Sequence, residues 1–188
     1  MPAPTRAIGL LCALLSAPVA QATPILDQEH APTGNFGALS VASDRTQVQT
    51  FTVGNSGVLT RIAVQVARQP LTSENLDLSV WSTDAEGMPK DLLSAASVPV
   101  SALDPPSTFP FVAFDLSVRV PVAQGDLLAI ELDSAAPNDL PPPAPSVRYL
   151  WQWGGDYAGG TASSRVGASV LPQQEDLHFR TFVEPKTE

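Results

Sequence analysis

From Gln47 onward apolar and polar positions alternate with a period of two, the spacing that turns successive side chains to opposite faces of a strand. Gln47 to Val53 alternates and ends at Gly54-Asn55-Ser56-Gly57. Val58 to Val66 then puts Val58, Ile62, Val64 and Val66 on one face with Arg61 and Gln65 on the other, so these two runs predict a hairpin. Leu76 to Ser82 turns Leu76, Leu78 and Val80 inward and Asp77, Ser79 and Trp81 outward, before a turn over Asp84 to Pro89. Leu92 to Leu103 is weaker, with Ala96, Val98 and Val100 in phase. Val112, Phe114, Leu116, Val118 and Val120 share one parity, and Pro121 places the far end of that run at a sheet edge or in a loop. After Gln124-Gly125-Asp126, Leu128, Ile130 and Leu132 face inward and Glu131 and Asp133 outward.

Three further stretches complete the pattern. Leu26-Asp27-Gln28 reads as a short edge strand before the breakers Pro32 and Gly34. Ala135 to Ser146 is rich in proline, which favours an extended loop and supplies no ladder hydrogen bonds. Arg148 to Gly160 carries Tyr149, Trp151 and Trp153 in one row, with Arg148, Leu150 and Gln152 opposite, and then a glycine-rich turn. Ser164 to Leu171 and Leu177 to Val183 close the chain. About eight to ten strands and no apolar run at helical spacing predict sheets wet on one side. The fold class is therefore all-β, a single antiparallel β-sandwich with jelly-roll-like connections. Strand order is not encoded in this pattern.

Composition changes the picture at the start of the chain. Met1 to Arg6 carries the only early charge, Ala7 to Leu15 is apolar, and Ala20-Gln21-Ala22 has the small-x-small pattern of a cleavage site, so residues 1–22 read as a signal peptide. The mature β-sandwich domain would run over 23–188, secreted or periplasmic. No later stretch reaches the roughly 20 apolar residues of a spanning helix, so no membrane span is expected in the mature chain. Cys12, the only cysteine, lies in the leader behind Leu10 and Leu11 rather than the small residues of a lipidation site. The mature chain then has no thiol, and disulfides and cysteine-ligated zinc are excluded. A formal charge of −9 repels phosphate backbones and argues against nucleic acid as a partner.

Candidate chemistry is sparse. A hydrolytic triad needs a histidine beside a nucleophile. Of the two histidines, His30 reads as part of a proline-flanked loop and His178 as facing away from Leu177 and Phe179, and neither pattern suggests catalysis. Asp77, Asp115, Glu131 and Asp133 point outward and could converge as a glycosidase pair, which needs two carboxyl groups about 5 to 9.5 Å apart. The acidic loops at Asp84 to Gly87, Gly154 to Asp156 and Asp27 to Glu29 could hold a structural calcium, with no other cofactor expected. Glycan binding needs an aromatic face for the C–H-rich side of a sugar and amides or carboxylates for its hydroxyls. Trp81 is outward by parity. Trp153 and Tyr157, beside the glycines, form the more exposed aromatic pair, with Gln152 and Asp156 next to them, whereas Trp151 is assigned to the core.

One further pattern is spread over several short segments: Leu26-Asp27-Gln28, Gln49 to Gly54 with Gly57 to Ile62, Gly87-Met88-Pro89, Phe114-Asp115-Leu116, Val122 to Leu132, Trp153-Gly154-Gly155, Tyr157 to Ala162 and Asp176 to Val183. In these the chain resembles a family of secreted bacterial β-sandwich domains of unassigned function, found among exported proteins with varied C-terminal sorting signals, including the PEP-CTERM class. The resemblance implies a jelly-roll-like sandwich and export, with no catalytic residues to carry over. After Val183-Glu184-Pro185 only Lys186-Thr187-Glu188 follow, where sorted members continue into an apolar helix and a basic end, so release is expected. The expected function is a non-catalytic exported module recognising a polysaccharide or surface glycan. The alternatives are a matrix or surface structural protein and, further off, a glycoside hydrolase. Oligomeric state is not legible.

Overall fold

The computed structural model describes residues 22–31, 37–105, 108–135 and 149–186. The expected leader up to residue 21, Arg148 and nearly all of the proline-rich segment lie outside them. In chain order the strands are β1 (Ile25–His30), β2 (Gly37–Val41), β3 (Arg45–Thr52), β4 (Gly57–Arg68), β5 (Leu76–Thr83), β6 (Pro89–Val98), β7 (Phe111–Val122), β8 (Leu127–Ser134), β9 (Tyr149–Trp153), β10 (Ala162–Val166), β11 (Ser169–Pro172) and β12 (Phe179–Pro185). A 3-10 turn, Val100–Ala102, follows β6. One sheet runs β1-β12-β4-β9-β2, with β7 also paired to β4, and the other runs β11-β10-β3-β8-β5-β6. All the pairings are antiparallel and the two sheets pack face to face, which makes the protein an all-β sandwich.

The predicted phases hold in β5 and β8. Leu76, Leu78 and Val80 of β5 and Leu128, Ile130 and Leu132 of β8 are buried against Phe51, Ile62, Phe114 and Phe179. Burying each such side chain is worth ~1.5 to 3 kcal/mol. Gln47 and Gln49 share the core face of β3 and are satisfied there, Gln47 by Ser40 O and Ser164 Oγ, Gln49 by Asp176 and Leu177.

Other expectations are corrected. β3 and β4 are not a hairpin: β3 pairs with β10 and β8, β4 with β12, β7 and β9, so Gly54 to Ser56 carries the chain from one sheet to the other. Within β4 the phase switches. Leu59 rather than Val58 is buried, because Arg61 and Leu59 pair with the consecutive residues Phe182 and Val183, leaving Thr60 as the extra residue of a bulge. Val118 is 57 % exposed because β7 slips its register on β4 there, and its N–H donates to Ser94 Oγ of β6 at 3.0 Å. Pro121 does lie in a strand with a single partner, β7 on β4. β2 was not legible, Ser164 to Leu171 is two strands around Gly167 (φ +57°), and His30 ends β1 rather than lying in a loop.

The pairings β3·β10, β4·β9 and β5·β8 nest inside one another, and β6 and β7 meet along the seam between the sheets. A long hairpin folded over and wrapped onto itself gives this order, the jelly-roll principle. Its consequence is that residues 172–177, between β11 and β12, are brought against the end of β9.

Candidate functional site

The aromatic strand β9 divides its row between core and surface. Tyr149 and Trp151 are fully buried, the former donating its hydroxyl to Glu74 O and the latter its indole N–H to His178 O at 2.9 Å. Burial pushes the Tyr149 phenol up to about 12. Trp153, next in the same row, is half-buried, since its partner across the ladder is Gly37 of the edge strand β2. A Cβ at Gly37 would stand 2.5 Å from Trp153 Cζ2, so the absence of a side chain there is what lets the indole lie over the backbone.

Beside the Trp153 ring opens a cleft of about 220 Å³ formed with Pro172, Gln173, Gln174 and Glu175. Its wall is tied down at several points. Gln173 N–H donates to Ala162 O at 3.0 Å and its amide to Ser164 Oγ at 2.9 Å. Gly155 N–H donates to Glu175 Oε2 at 3.1 Å, while Gly154 and Asp176 exchange backbone bonds with the facing segment. An indole, two primary amides and a carboxylate therefore line one concavity, the kinds of group that a sugar's apolar face and hydroxyls require, with the Gln173 amide N–H groups already given to Ser164 Oγ and Leu171 O.

The other sequence-predicted site residues fall differently. Asp156 is exposed in the turn beyond Gly155. Gln152 is only 3 % exposed, and its carbonyl accepts from His178 N–H, so it is part of the interior rather than of a platform. Tyr157 is half-buried and pinned: its ring stands edge-on to Phe179 at 5.1 Å, its hydroxyl donates to Gln28 Oε1 at 2.8 Å and its N–H to Asp176 Oδ2 at 2.8 Å. Trp81 keeps the outward parity, opposite Ala129 of β8, but is half-buried, and its indole N–H has no hydrogen-bond partner among the described residues. Pro172 to Glu175 were missed by sequence reasoning. The available signal was an amide- and carboxylate-rich connection between two strands, without any indication of which aromatic it would meet.

His30 and His178 come together under this loop, their rings 5.7 Å apart and near perpendicular. Both are buried, which corrects the outward reading of His178. His30 Nε2 lies 2.8 Å from Gly154 O, and His178 Nδ1 lies 2.6 Å from Gln65 Oε1. Gln65 gives its amide N–H to Phe109 O, so its oxygen is the acceptor and His178 carries the proton on Nδ1. Burial, reinforced by His30, lowers His178 to about 4. These bonds tie β1 to the residue that follows β9, and β4 to the residue that precedes β12.

Of the four outward acids, Asp77, Glu131 and Asp133 share the outer face of the second sheet, and Asp115 lies on the other sheet with Arg61 Nε at 2.6 Å. Glu131 and Asp133 line a cleft of about 270 Å³ with Arg45 and Arg165. Arg165 stands 3.2 Å from Glu131, yet burial raises both carboxyls. Two of the acidic loops considered for calcium are engaged within the fold: Asp84 Oδ1 accepts from Glu86 and Met88 N–H, Asp27 accepts from Gly54, Asn55 and Thr181, and Glu29 pairs with Arg180. Among the described residues no group of three or more His, Cys, Asp or Glu is placed to hold a metal ion, and no helix is long and apolar enough to cross a membrane. No known family model matches the chain, and no curated protein matches it.

Proposed function

We propose that this protein is an exported, non-catalytic binding module that recognises a polysaccharide or surface glycan through the Trp153 cleft. The observation that carries the reading is the half-buried indole facing Gln173, Gln174 and Glu175 across one concavity. Stacking supplies affinity and the amides fix orientation. Trp81, on the outer face of the second sheet, is a secondary candidate.

The test is retention of the protein on a panel of soluble and insoluble polysaccharides, with calcium and with chelator. Retention by at least one member is expected, and Trp153→Ala or Gln174→Ala should weaken it about tenfold or more while circular dichroism stays unchanged. No retention by any member would sink the reading. A structural role would then gain ground from the edge strand β11, where Val170 and Leu171 are 41 % and 49 % exposed, and concentration-dependent self-association would mark it. A hydrolase is favoured only by the shared cleft of Glu131 and Asp133, and product release abolished by Glu131→Gln would reveal it.

A further inference from the structure

Pro172 and Gln173 belong to two clefts at once. On one side they close the Trp153 cleft, and on the other they border a second cleft of about 250 Å³ on the outer face of the second sheet. Its floor is Val48 and Thr50 of β3 with Ser163 of β10, and its walls are Val170 of β11 and Met88 of the β5–β6 turn. Both walls are fixed by the backbone. Asp84 N–H donates to Met88 O and the Asp84 carboxylate accepts from Met88 N–H, which pins the turn, while Pro172 lies across the ladder from Ser163. Each cleft alone is smaller than the roughly 300 Å³ at which ligand sites begin, and the two meet at Pro172 and Gln173, which border both.

Charge narrows the occupant. Among the described residues neither lining contains lysine or arginine, and each contains a glutamate, Glu175 at one end and Glu86 at the other. Four arginines are held in ion pairs elsewhere, with Asp115, Glu184, Glu131 and Glu29. A polymer carrying carboxylates or sulfates would meet like charge at both ends with no cation to offset it.

We propose that the two clefts form one track, running from Trp153 over the Pro172–Gln173 ridge to Met88, that binds several consecutive units of an uncharged or amino-substituted glycan chain. This rests on the glycan reading of the Trp153 cleft and adds the length and charge class of the ligand.

The experiment is calorimetric titration with neutral gluco-, xylo- and manno-oligosaccharides and with chito- and chitosan-oligosaccharides, from disaccharide to hexasaccharide, beside oligogalacturonates of the same lengths. In whichever uncharged or amino series binds, affinity should rise by about tenfold or more from disaccharide to hexasaccharide. Trp153→Ala should weaken every length, and Met88→Ala only the longer ones. The double variant Glu86→Lys/Glu175→Lys should gain affinity for oligogalacturonate. Affinity that stops rising at the disaccharide, or a hexasaccharide indifferent to Met88→Ala, would overturn the track and leave the Trp153 site standing. Oligogalacturonate bound by the wild type as tightly as any neutral chain would overturn the charge class. If no oligosaccharide of any series bound, the glycan reading and the track would fall together.

Discussion

His178 stands where β12 gives way to β9 alongside β4. Its carbonyl accepts from Gln65 N–H and from the Trp151 indole, and its own N–H donates to Gln152 O. A backbone that serves two neighbouring strands cannot follow the alternation of either, so residues 176–179 are all buried and the period-two reading of His178 fails there. With the ring inside and its pKa lowered from 6.5 to about 4, the unfolded chain binds a proton that the folded one refuses between those values. The stability this neutral ring allows is therefore present above pH 6.5 and is lost as pH falls toward about 4, by on the order of 3 kcal/mol. Glu131 and Asp133, raised by burial, act in the opposite sense, since protonating them favours the folded state. The difference between wild type and His178→Gln isolates the ring. Urea unfolding should show the wild type losing stability relative to the variant between pH 7 and 4.5, and parallel curves would mean that His178 is charged in the folded protein.

Whole strands were legible in the sequence to different degrees. β5 and β8 are read with the correct faces because their shared register runs unbroken from Leu76 opposite Ser134 to Ser82 opposite Leu128, so burial on one side imposes a strict period of two, whereas the bulge at Thr60 breaks it in β4. The false hairpin of β3 and β4 had equally good alternation and a proper turn sequence, but parity says which face is buried and nothing about which strand is adjacent. β2, with Gly37, Ala38 and Ser40 in five positions, carries too little apolar contrast to register. The same limit split the candidate site: Trp153 was legible as the surface end of an aromatic row, whereas Pro172 to Glu175 reach it only through the folding of the chain. The connection from Tyr157 to β10 allows a direct check on how tightly that folding is fixed. A Cβ at Gly160 would lie 1.9 Å from Thr50 O, inside a joint where Thr161 N–H donates to Thr50 Oγ1 at 2.7 Å and Thr50 N–H to Thr161 O at 2.9 Å. Backbone cannot yield there without breaking those bonds, so Gly160→Ala should cost about 2 to 4 kcal/mol in chemical denaturation. Gly125, at φ +92° with open space around it, separates steric from conformational cost: Gly125→Ala should lose only about 1 kcal/mol. Equal losses would mean that the Thr50–Thr161 joint is loose.

Over the whole molecule, nested pairings and crossings between sheets mean that most of the core forms between segments far apart in the chain, and the first strand, β1, pairs with the last, β12. Closing such loops costs entropy before contacts reward it, which places refolding in the range of about milliseconds to seconds. Among the described residues β1 has one neighbouring strand only, and its Ile25 and Leu26 are exposed, so little of the core waits on it. Beyond its ladder with β12, Asp27 ties it in: the carboxylate accepts from Gly54 N–H at 3.2 Å, Asn55 Nδ2 at 2.9 Å and Thr181 Oγ1 at 3.3 Å, linking β1 to β12 and to the crossing between the sheets. Those donors come from two distant parts of the chain, the consecutive Gly54 and Asn55 at the crossing and Thr181 in the last strand, and they meet only once both sheets are in place, so the bonds belong late in folding. Asp27→Ala should then cost about 1 to 3 kcal/mol, seen almost wholly as faster unfolding. Ile130→Val, in the centre of the second sheet, should instead slow refolding. Stopped-flow measurements of both limbs decide the matter. Refolding slowed by Asp27→Ala in proportion to the stability lost would mean that β1 docks before the sandwich closes, and that the first and last strands nucleate the fold rather than seal it.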